Sequence, residues 1–203
     1  MRISVVGGSC SGKTTLSRKL SARLGVPHIE LDALHHGPNW DEAPAELLRQ
    51  RVRDALAQAP DGWVVDGNYQ GKIGLLVQDE ADLVVFLDPS FSTALRRAVW
   101  RTFSRSLTRK ELWNGNRETF RNAFSKHSIV LWVIQTHRQT RPKWAERLAG
   151  YKVVHLRSPR DVQRWFESFS VQDLAAQTLE VDVPAAEHGH DRGAGLRVDE
   201  AGE

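Results

Sequence analysis

The sequence is short of cysteine, of long apolar runs and, region by region, of acidic and aromatic residues. Each shortage removes a class of answer. Cys10 is the single cysteine, so no disulfide can form within the chain, and that usage suits a reducing, cytoplasmic compartment. The longest apolar run, Ile129 to Ile134, is six residues. A membrane span needs about 20, so no membrane-embedded protein is expected. The stretch Met1 to Val6 runs straight into glycine; it is too short for a signal-peptide core and no cleavage pattern follows it.

Acids are scarce in the middle. From Arg96 to Arg147 there are 13 Lys/Arg against three acids, a balance of +10. Such a region suits an anionic ligand, whether nucleotide phosphates or nucleic acid. Aromatics are missing from the end. From Val171 to Glu203 there are none, and eight acids face two arginines, a balance of −6. Residues 170–203 are therefore expected to form a disordered acidic tail. The remaining 1–169 are enough for one domain with a sizeable core. Hydrophobic residues make up 40% and charged residues 26% of the 203, which is ordinary globular composition. The seven tryptophans are expected mostly in the core.

Short β-branched runs alternate with helical spacing. Ile3-Ser4-Val5-Val6 reads as a strand ended by Gly7-Gly8, and Leu16, Leu20 and Leu24 line one face of a helix over 13–24. His28 to Asp32 reads as a second strand, Trp63 to Asp66 as a third, Leu83 to Leu87 as a fourth and Lys152 to Leu156 as a fifth. Helices are expected over 44–59, from Ser90 to Arg109, from Ser128 to Ala149 with Pro142 as a possible break, and over 159–169. Strands alternating with helices predict an α/β fold, a parallel sheet with helices on both faces.

The strongest motif is Gly7-Gly8-Ser9-Cys10-Ser11-Gly12-Lys13-Thr14, which fits G-x-x-x-x-G-K-[ST]. Glycines let the backbone curl so that successive N–H groups converge on phosphate oxygens, and the following helix aims its positive end at the same anion. The amides of residues 8–15, Thr15 included, are expected to cradle ATP (or GTP). Lys13 is expected to reach the β- and γ-phosphates and Thr14 to ligate Mg²⁺. Cys10 occupies a variable loop position where its backbone amide matters.

In an open α/β sheet, ligands bind beyond the carboxyl ends of the strands. Asp32, Asp66 and Asp88 fall there. Phosphoryl transfer needs one carboxylate for the acceptor and another for the metal or its waters, so Asp32 is a catalytic candidate and Asp66 a metal candidate. Asp88, followed by Pro89, reads as a helix cap. Transfer also needs positive charge over the migrating group. Arg97, Arg101 and Arg105 recur every four residues, and Arg138 and Arg141 share a face; two or three of these are expected to be catalytic, with Arg138 and Arg141 the pair chosen. His35 and His36, beside Gly37-Pro38, read as pocket or loop residues, and Trp40 as either a stacking platform or core.

On these residues the chain resembles the small adenylate-kinase-like P-loop kinases, and within them the bacterial group labelled DNA topology modulation proteins. The resemblance rests on Gly7 to Thr15, Leu31-Asp32-Ala33-Leu34 with Trp40, Trp63 to Tyr69, Leu83 to Leu87, Trp132 with Arg141-Pro142-Lys143, and Val154 to Ser158, and spans about residues 1–169. It implies a five-stranded parallel sheet in the order 2-3-1-4-5, a helical lid at about 102–126, and Arg157 near the adenine. Where that family usually continues Asp-Gly with Pro-Arg, this chain has Asn68-Tyr69, which speaks against AMP as acceptor. The implied activity is Mg²⁺-dependent transfer from ATP to a small-molecule acceptor, nucleoside monophosphate kinase-like. The alternative is a nucleotide-binding regulatory protein that contacts nucleic acid through its basic face; the sequence carries no recognised nucleic-acid module.

Overall fold

The computed structural model describes residues 1–108, 113–116 and 129–170, without the side chains of residues 105–108, 113, 138–142 and 145. The expected tail beyond Ser170, and most of the expected lid beyond Thr108, lie outside the described residues.

Five parallel strands form one sheet: β1 (Arg2–Gly7), β2 (His28–Glu30), β3 (Trp63–Asp66), β4 (Leu83–Leu87) and β5 (Val153–Leu156). Their order is β2-β3-β1-β4-β5, as the resemblance implied. Parallel strands need crossovers, and each crossover lays helix on a face. The period of two therefore splits β1, β3, β4 and β5 between two cores. On one face Ile3, Val5, Val64, Val85 and Leu156 pack with Leu16 and Leu20 of α1 (Lys13–Leu24). The last helix, α8 (Pro159–Ser168), adds Val162, Trp165 and Phe166 to that core.

On the other face the core has two halves. Trp63 and Val65 meet Leu48, Val52 and Leu56 of α3 (Ala45–Ala57), with Leu31 of α2 (Leu31–His35), Ile73 of α4 (Gln70–Ile73) and Val77 of α5 (Leu76–Asp79). Val6, Val84 and Phe86 meet Trp144 of the long α7 (Ile129–Arg147) and Leu148 just after it. The remaining long helix, α6 (Phe91–Thr108), packs on α7 through Ala94, Ala98 and Val133. Pro142 lies within α7 and does not divide it.

Two local expectations are corrected. The second strand stops at Glu30, and Leu31 and Asp32 open a helix. A short apolar run cannot by itself distinguish strand from helix; here Leu31 turns into the core under α3. The tryptophans do not all enter the core. Trp63 and Trp144 are buried, but Trp100 and Trp132 are 69% and 55% exposed on α6 and α7.

Candidate active site

The carboxyl ends of β1 and β3 and the inner sides of α6 and α7 enclose a cavity of about 680 Å³. That volume lies within the range of small-ligand sites. Its floor is the loop joining β1 to α1: Gly8, Ser9, Cys10, Gly12, Lys13, Thr14 and Thr15 all line it. Two glycines there are required by geometry. Gly7 has φ +147° and a Cβ would stand 2.3 Å from the Leu87 carbonyl oxygen; Gly12 has φ +105° and a Cβ would stand 3.2 Å from the Arg97 guanidinium. Cys10 also adopts a positive φ, 60°, so the loop is curled over most of its length. Ser11 is buried, and its hydroxyl has no hydrogen-bond partner among the described residues.

The loop is braced from three sides. The Lys13 ammonium donates to the carbonyls of Gly7 (3.1 Å) and Gly8 (3.0 Å). The Asn68 amide donates to the Gly7 carbonyl and accepts from its N–H. Arg97 Nη1 donates to the Ser11 carbonyl at 2.6 Å. Burial pulls the Lys13 ammonium below its ordinary value, while Asp32 and Asp66 pull it back up. Burial likewise lowers Arg97, with Arg96 adding to the effect.

Both sequence-chosen carboxylates line the cavity, Asp66 from the end of β3 and Asp32 from the first turn of α2. Asp32 is not bare: the Tyr69 hydroxyl donates to its Oδ1 at 2.7 Å. Burial and the Asp32 charge push the Tyr69 phenol far above its ordinary value, so Tyr69 stays a donor. Its ring packs against His35, centroids 4.5 Å apart, and its hydroxyl lies 3.4 Å from His36 Nε2. Behind them His35 Nε2 lies 3.4 Å from Glu42 and from Lys72 Nζ, and Lys72 donates to Glu42 at 3.0 Å. Trp40 stands edge-on to His36, 5.5 Å away, and is not part of the cavity wall. The loop carrying it is held by Asn116, which accepts from Trp40 N–H and donates to the Gly37 carbonyl, both at 2.9 Å.

Arg97 and Arg101 turn one side of α6 into the cavity, and Lys143 and Arg147, four apart on α7, face it from beyond Trp144. The Arg138 and Arg141 side chains lie outside the described residues. Arg157, expected near a base, is exposed just after β5 and is absent from the cavity wall. Gly7 and Ser11 support the loop from behind rather than facing the cavity. Asp88 Oδ2 pairs with His155 Nε2 at 3.0 Å, away from this space. Among the wall residues that motif reading did not assign are Asn68, Tyr69 and Gln70. They follow the strand-ending Asp66-Gly67, and position past a strand's carboxyl end was the signal available for them.

A five-stranded all-parallel sheet in this order, with the phosphate-type loop after its central strand, is the fold of the small P-loop kinases. A solved structure of shikimate kinase from Bacteroides thetaiotaomicron superposes with a TM-score of 0.52 over 82% of this chain and 97% of that one, at 16% identity, which is a likeness of fold. In sequence, the chain is 33% identical over 85 residues to the adenylate kinase of Mycolicibacterium paratuberculosis, a match covering 33% of this chain. The chain spans about half, 47%, of the length of that relative. No protein-family model matches. Among the described residues no helix is long and apolar enough to cross a membrane.

Proposed function

We propose that this chain is an ATP-dependent phosphotransferase acting on a small acceptor, nucleoside monophosphate kinase-like, with residues 1–169 as the kinase domain. One observation carries the reading: a curled, glycine-dependent loop and two carboxylates, Asp66 from the end of β3 and Asp32 from the first turn of α2, converge on a single cavity whose opposite wall is basic.

In this reading the amides of the 8–15 loop and the start of α1 bind the nucleotide phosphates. Lys13, already turned onto the loop, exchanges its carbonyl partners for phosphate oxygens and neutralises charge that develops in transfer. Thr14 and Asp66 would hold Mg²⁺; a hydroxyl and a carboxylate are the hard oxygen donors that this ion takes. When bound, the ion screens the phosphate charge and orients the oxygens. Asp32 orients the acceptor, and Tyr69 fixes the Asp32 carboxylate while doing so. Arg97 and Arg101 supply positive charge beside the loop, with Arg138 and Arg141 as further candidates on α7. The finer family placement, with the DNA topology modulation proteins, and a cytoplasmic setting belong to this proposal too.

Replacing Lys13 with Ala is expected to lower ADP release at least about 100-fold, the scale of removing one preorganised charge-stabilising group, with the circular dichroism spectrum and melting temperature retained. ADP release scored across nucleotides, nucleosides, sugars and DNA names the acceptor. Unchanged turnover in Lys13→Ala would sink the assignment.

A further inference from the structure

Glu30 and Asp66 are register partners in adjacent parallel strands, so their side chains leave the sheet on the same face. Carboxylates placed directly opposite one another repel. A third side chain on that face answers the problem. His28 sits two residues before Glu30 and is the register partner of Val64, which makes it the diagonal neighbour of Asp66. Its Nε2 lies 3.2 Å from Asp66 Oδ2, and its Nδ1 lies 3.8 Å from Glu30 Oε1. Arg18 of α1 completes the line by pairing with Glu30 at 2.6 Å. Both members of the inner pair are shielded, His28 at 12% and Asp66 at 3% side-chain exposure. His28 is not part of the cavity wall, whereas Asp66 is.

We propose that His28 is a positioning residue for the candidate site: its Nε2–H holds one oxygen of Asp66 and separates that carboxylate from Glu30, leaving the other oxygen for the cavity. The inference rests on the kinase reading for what Asp66 does, and goes beyond it in naming what aims Asp66. A donor at Nε2 requires the tautomer that carries its proton there. Supporting residues behind an oxygen donor set its orientation, and their loss typically costs about 10- to 100-fold in metal affinity or activity.

Three variants separate positioning from mere packing. His28→Gln keeps an amide donor at about the reach of Nε2. His28→Asn is polar but too short, and His28→Ala removes the group. Calorimetric titration with ADP, in Mg²⁺ and in EDTA, requires no knowledge of the acceptor. In EDTA all four proteins are expected to bind ADP alike. In Mg²⁺ the gain in affinity is expected to shrink at least about tenfold in His28→Ala and His28→Asn, and to stay near wild type in His28→Gln. ADP-release rates should follow the same order. Equal Mg²⁺-dependent gains in all four proteins overturn the inference, as does equal impairment of Gln and Asn. Wild-type protein that fails to bind ADP under either condition would instead overturn the kinase reading, and this inference with it. Should His28→Ala misfold, the Gln–Asn comparison decides alone.

Discussion

The two halves of the cavity are built in different ways. On the side proposed for the nucleotide, eight consecutive residues from Gly7 to Thr14 supply the loop, the ammonium and the hydroxyl. Lys13 from within that stretch, and Asn68 and Arg97 from outside it, hold the curl. On the side proposed for the acceptor the groups come from several segments. Asp32 comes from α2, its hydroxyl partner Tyr69 from the turn after β3, and the histidines behind them from the end of α2. Glu42, Lys72 and Asn116 brace that cluster from three further segments. The first half is a backbone device, in which substitution acts through φ and close approach. The second is a side-chain network, in which substitution acts through single hydrogen bonds.

If that contrast holds, the largest effect of a small change belongs to the loop. Gly12→Ala forces a side chain onto φ +105° and brings a methyl to 3.2 Å from Arg97. Strain of this kind costs about 1–3 kcal/mol before the guanidinium moves. Nucleotide affinity, measured by calorimetry, is expected to fall roughly 100-fold, with folding intact by circular dichroism. Wild-type affinity in Gly12→Ala would mean that the curl is not what binds. Tyr69→Phe should act on the other half and less strongly. It deletes the 2.7 Å bond to Asp32 and keeps the ring against His35. A bond to a charged group contributes about 1.5–3 kcal/mol, so kcat/KM for the acceptor should drop on the order of tenfold while nucleotide affinity stays constant. A matching loss of nucleotide affinity would show that the halves are not separable.

The same contrast explains what could be read from the sequence. The glycine loop is local, so its spacing disclosed the curled turn between β1 and α1, and the position of Asp66 followed from a four-residue strand that the structure reproduces from Trp63 to Asp66. The strand order follows from no local signal and came with the family resemblance. Asp32 was found for a reason that proved inexact: it opens a helix rather than ending a strand, yet lies at the same carboxyl edge. Tyr69 on Asp32 and His28 on Asp66 depend on register between segments 37 and 38 residues apart. Periodicity within one segment carries no trace of register with another. Arg97 stood among several arginines at helical spacing, and its bond to Ser11 distinguishes it only once α6 is laid across the loop.

The smallest expected effect probes the brace behind the acceptor side. His35 is 2% exposed, and burial, then Lys72 and His36, lower its pKa from the ordinary 6.5, with Glu42 opposing them. The folded protein therefore resists a proton that the unfolded chain accepts. Stability is intact above pH 6.5 and declines as pH falls below it towards the lowered value. Glu42 does not enter that window: its own pKa is lowered from 4.5, chiefly by the Lys72 hydrogen bond, so what it contributes persists until the pH falls below 4.5. The melting temperature should thus drop between pH 7.5 and pH 5.5. In His35→Gln, which keeps a polar group of similar size beside Lys72 and Glu42, the drop should be smaller, even though the variant starts lower at pH 7.5. A slope as steep in His35→Gln as in the parent would move the acid sensitivity elsewhere and leave the brace a matter of packing alone.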